Sequence, residues 1–95
     1  METKFWTRPG KRGLVEIGFS KDFLDELNET SYGIILAREA NFKSGKPCMF
    51  VEMSWGTLTV ESPVSGELYH VNDQVFSRLD AIKVDDPVFI VRVPA

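Results

Sequence analysis

Glycine and proline cut this chain at Pro9-Gly10, Gly13, Gly33, Gly45, Pro47, Gly56, Pro63, Gly66, Pro87 and Pro94, and most gaps between them have room for a strand but not for a long helix. Such punctuation suits an all-β domain with tight turns. Runs rich in β-branched and aromatic residues fill the gaps over 13–19, 33–37, 49–54, 57–61, 66–71 and 88–93, which predicts six strands. Leu58, Val60 and Ser62 alternate with Thr57, Thr59 and Glu61, the mark of a half-buried strand. In 88–93 nearly every residue is apolar, so that strand is expected at a sheet centre. Strict alternation in 66–71 puts His70 on the face of Leu68, away from Tyr69.

One helix is written between the strands. Ser20 is an N-cap, Asp22 places a carboxylate in the first turn, and Phe19 and Leu24 occupy the positions of a hydrophobic staple. Phe23, Leu24 and Leu27 make one apolar stripe and Asn28 offers a stop, which predicts a helix over 21–27. A second helical turn is expected over 73–79, with 82–84 open to a strand instead.

The 95 residues predict a single domain over 1–95, with no linker inside it. A net charge of -3 excludes a broadly basic nucleic-acid or anionic-membrane binder, so neither nucleic acid nor membrane is expected as a partner. No apolar run approaches the roughly 20 residues that span a bilayer. The first residues do not read as a secretory signal, and the one cysteine, Cys48, cannot form an internal disulfide, so the expected compartment is the cytoplasm.

Catalytic constellations are scarce. His70 is the only histidine, and zinc through Cys48 and His70 would need two carboxylates brought together by folding; no metal is expected. Cys48, between Pro47 and Met49 at the head of an apolar run, reads as a small core residue. The acid pairs Asp25-Glu26 and Asp85-Asp86 read as solvated turn and helix residues, and Lys4, Arg8, Lys11 and Arg12 as a solvated hairpin tip. No phosphate-binding glycine loop or nucleophile elbow is present. The chain is expected not to be an enzyme.

The stretch from Val51 to Leu68, with Ser62-Pro63-Val64-Ser65-Gly66-Glu67 at its end, resembles the H protein of the glycine cleavage system and, more widely, the biotinyl and lipoyl carrier domains. Those carriers present a lysine at a hairpin tip, then a strand, then a turn of the Ser-Pro-Val-Ser-Gly-Glu kind. Pro63 fixes entry to that turn and Gly66 would permit a positive backbone torsion. Gly18-Phe19-Ser20 before the short helix, Cys48 four residues before Glu52, and Phe5-Trp6 where the family writes His-Glu-Trp extend the likeness over roughly residues 3–93. The resemblance implies a barrel-sandwich hybrid of two antiparallel sheets with a helix packed at one side.

Counted from Glu52, the position of the modified lysine holds Trp55, whose indole has no amine to form an amide with lipoate. No cofactor is therefore expected at that tip. Phe5 also stands for the family's acidic residue, and Asp22 for its helix histidine. Two readings of Trp55 follow: an indole folded back over apolar neighbours, or an anchor for a partner. The resemblance then implies an H-protein-like interaction module whose tip is Glu52, Met53, Ser54, Trp55 and Gly56, with glycine cleavage components or lipoate-transfer enzymes as partners. The alternative is a lipoyl carrier using another lysine, such as Lys43, Lys46 or Lys83.

Overall fold

The computed structural model describes residues 4–36 and 41–94. It is mainly β, with two antiparallel sheets and a short helix at the side. The chain forms β1 (Phe5–Pro9) and β2 (Leu14–Phe19), then α1 (Lys21–Thr30), then β3 (Ser31–Leu36). After these come β4 (Asn41–Phe42), β5 (Pro47–Met53), β6 (Gly56–Glu61) and β7 (Gly66–Val71). The helical turn α2 (Gln74–Ser77), a 3-10 turn at Leu79–Ala81 and β8 (Phe89–Arg92) complete the order. One sheet runs β1-β2-β8-β7-β4 and the other β3-β5-β6, and neither closes on itself among the described residues.

The core is one cluster drawn from both sheets and α1. Ile17, Phe19, Phe89 and Val91 of the five-stranded sheet are fully buried, as are Met49, Val51 and Val60 of the three-stranded one. Burying side chains of this size contributes about 1.5–3 kcal/mol each. Phe5 packs among Phe19, Phe23 and Phe89, with ring centroids 5.9, 6.1 and 6.3 Å away. β8 is the middle strand of its sheet, as expected of 88–93; Phe89 and Val91 face the core, Ile90 is half-buried on the other face and Arg92 is exposed.

Helix α1 starts as the sequence implies: the Phe23 N–H donates to Ser20 Oγ at 3.3 Å, and Phe23, Leu24 and Leu27 are buried. It does not stop at Asn28. The Asn28 side-chain amide donates back to the Leu24 carbonyl at 3.1 Å, so the helix continues to Thr30 and passes directly into β3. The second helical region is shorter than 73–79, because Arg78 adopts φ -137 and ψ 58 and separates α2 from the 3-10 turn. Residues 82–84 form no strand; Ile82 is buried there while Val84 is exposed.

The observed strands keep within two residues of the expected ones, except that 37 lies outside the described residues. Two strands were hidden: β1, at a sheet edge, and β4, only two residues long. Two irregularities also change which residues share a face. The β5–β6 register shifts between Pro47 and Met49, which lets Cys48 and Met49 both be buried. The β7–β8 register shifts between Leu68 and His70, leaving Tyr69 as the extra residue of a bulge. Leu68 and Val71 then face the core opposite Val91 and Phe89, and His70 pairs with Ile90 on the outer face, not on the face of Leu68.

Candidate functional site

The β5–β6 hairpin is closed by Ser54 and Trp55, with Met53 paired to Gly56. Two-residue hairpin turns usually need a positive φ inside the turn. Here Ser54 and Trp55 avoid it, and Gly56 takes the left-handed strain with φ +143. Trp55 projects from this turn with 66% of its surface exposed, so the indole is not folded back. No aromatic or cationic side chain stacks on it among the described residues. Glu52 lies on the outer face of the sheet, where its Oε1 accepts the Thr57 hydroxyl at 3.0 Å.

Met53 behaves differently from its neighbours. It is only 4% exposed and belongs to the core cluster, so it cannot contribute surface to a tip. It instead anchors the root of the hairpin. The exposed tip is Glu52, Ser54, Trp55 and Gly56.

At the other end of β6 the Ser62-Pro63-Val64-Ser65-Gly66 segment is held by its own hydroxyls. Ser62 is buried, its Oγ donates to the Val64 carbonyl at 2.7 Å, and the Ser44 N–H donates to Ser65 Oγ at 3.0 Å. Pro63 sits exposed in the turn. Gly66 is not used for a positive φ. Its hydrogen is required by close approach, because a Cβ there would sit 2.5 Å from both the Arg92 carbonyl oxygen and Val91 Cγ1.

The residues with reactive or metal-binding side chains are scattered. Cys48 is 1% exposed inside the core, and burial pushes its thiol up to about 12. His70 lies on the outer face of the opposite sheet, so the two do not meet. Among the described residues no three of His, Cys, Asp and Glu gather where they could hold a metal ion. Lys43 and Lys46 are exposed near the start of β5, at the far end of that strand from Trp55, and Lys83 lies in the turn before β8. Arg8 is not at the hairpin tip but on β1, bonded to Glu16 at 2.6 Å and stacked over Trp6 at 4.7 Å. Trp6 donates its indole N–H to the Val84 carbonyl.

Sequence reasoning missed an open groove of about 860 Å³ lined by Arg12, Lys43, Glu67, Arg92 and Val93 among others. These residues come from separate parts of the chain, and no local motif joins them. Set against known proteins, the chain matches no family model and no curated protein. Among the described residues no helix is long and apolar enough to cross a membrane.

Proposed function

We propose that this chain is an H-protein-like domain without a swinging arm, which works in the cytoplasm by binding proteins rather than by catalysis. The carrying observation is Trp55, two-thirds exposed at the tip of a two-residue hairpin, at the position where the resemblance puts a modified lysine. An indole so placed offers a large apolar face and one N–H donor, the combination enriched in interface hot spots. Phe5 supports the same reading. Where the family has an acidic residue, its ring fills a cluster with Phe19, Phe23 and Phe89. Two antiparallel sheets around one core are compatible with a barrel-sandwich hybrid, which is the fold this reading assumes.

The partners in this reading are proteins that recognise an H-protein surface: glycine cleavage components, or lipoate ligases and transferases. Lipoate itself is not a cofactor. The test is biolayer interferometry of the chain against purified members of both groups, with Trp55→Ala in parallel. Binding that weakens about thirtyfold in the variant is the expected result, the loss of an anchor of about 2 kcal/mol. Equal binding by the variant would remove the tip from recognition. Intact mass after incubation with lipoate, ATP and a ligase is expected not to change; a lipoyl increment would make the chain a carrier.

A further inference from the structure

Four parts of the chain converge at the end of the five-stranded sheet remote from Trp55. The β1–β2 turn brings Arg12 and Gly13, β4 and its following loop bring Phe42 and Lys43, the start of β7 brings Ser65 to Glu67, and the end of β8 brings Arg92 to Pro94. The backbone fixes this convergence: Phe42 pairs with Gly66, Glu67 with Arg92, Arg92 with Leu14, and the Val93 N–H donates to the Gly13 carbonyl at 3.0 Å. The hollow they enclose, about 860 Å³, lies within the range of small-molecule sites.

Its charge opposes that of the whole molecule. The chain carries -3, yet among the described residues the groove is lined by three cations, Arg12, Lys43 and Arg92, and one carboxylate, Glu67. None of the three cations is in a salt bridge among the described residues. Arg92 does not close on Glu67 although they are direct ladder partners; its guanidinium lies over the Tyr69 ring at 5.3 Å. Apolar lining comes from Val93 and Pro94, while Phe42, 4% exposed and edge-on to Phe89 at 5.4 Å, belongs to the core beneath the groove. Ser65 Oγ, which accepts the Ser44 N–H, keeps its own hydroxyl proton to donate.

We infer that this groove binds an organic carboxylate with an apolar body, its charged end met by Arg12 and Lys43 and its body lying against Val93 and Pro94. A cationic ligand would meet like charge at Arg12 and Lys43, and a small inorganic anion would leave the apolar wall bare. This site is independent of the Trp55 tip, since β6, about 20 Å long at the usual strand rise, separates the ends at which they lie.

The probe is 2-naphthoate, titrated into the full chain and followed by amide NMR shifts, with 2-naphthylmethylamine as a cation of the same body. Naphthoate is expected to move the amides of Gly13, Gly66 and Val93 saturably, and the amine to bind about tenfold more weakly or not at all, the ratio expected of about 1.4 kcal/mol of charge complementarity. Arg12→Gln with Lys43→Gln should weaken naphthoate by about tenfold at unchanged melting temperature, and Trp55→Ala should leave it unaltered. Equal binding of the two probes would overturn the inference, as would shifts scattered away from the groove or insensitivity to the double variant. The probe comparison is made on the unaltered chain, so it decides the question even if the double variant does not fold.

Discussion

At the level of single residues, Cys48 couples the core to pH. Its thiol is pushed up from near 9 to about 12 because the apolar interior disfavours the thiolate. Below about pH 9 the thiol is protonated in both folded and unfolded chains, and the core's stability is undiminished. Between pH 9 and 12 the unfolded chain releases a proton that the native chain keeps, so stability falls by up to about 1.4 kcal/mol per pH unit. Urea unfolding at pH 8 and 10.5 is expected to show this loss in the native sequence and a shallower one in Cys48→Ala. Equal slopes would mean that the thiol ionises freely in the folded state. The same burial predicts that thiol reagents label Cys48 only after unfolding, which excludes it as a surface nucleophile.

Elements were legible where local chemistry decides them and obscure where pairing does. Ser20 announces the start of α1 because a hydroxyl before an apolar stripe has one structural use, and the 3.3 Å bond to the Phe23 N–H is that use. Ser20→Ala is expected to cost about 1 kcal/mol, read as a shift of the urea midpoint with the m-value unchanged. An unaltered midpoint would show that packing of Phe23, Leu24 and Leu27 alone holds the helix end. Its far end was misread because Asn28 has two options, ending the helix or bonding the carbonyl four residues back, and only the tertiary setting selects between them. Bulges were invisible for a related reason. At Tyr69 the bulge resets the alternation, so His70 moves to the outer face although its neighbours in sequence are unchanged. β4 has two residues, too few for any periodicity, and β1 follows Phe5-Trp6 with Thr7-Arg8-Pro9, as expected of an edge strand that must resist further pairing. The hairpin carrying Trp55 was readable because Gly56 sits between two strand-like runs, 49–54 and 57–61. The groove was not, since its cations are brought together only by the order of the five-stranded sheet.

Across the whole molecule, one core spans both sheets, and the Trp55 hairpin is rooted in it through Met53 while its tip stands outside. The root and the tip should therefore separate stability from recognition. Met53→Ala opens a cavity in a cluster shared by both sheets and should cost about 2–5 kcal/mol of a single cooperative unfolding transition. Trp55→Ala removes an indole that is two-thirds exposed and, among the described residues, touches no other ring, so its effect on the same transition should stay within about 0.5 kcal/mol. If partner binding depends on the indole itself, Trp55→Ala lowers affinity at full stability, whereas Met53→Ala lowers stability and affects binding only as far as the hairpin loosens. Urea denaturation and interferometry on the two variants make the comparison directly. A loss of stability in Trp55→Ala equal to that in Met53→Ala would show that the indole supports the fold, and the exposed ring would then need no partner to account for it.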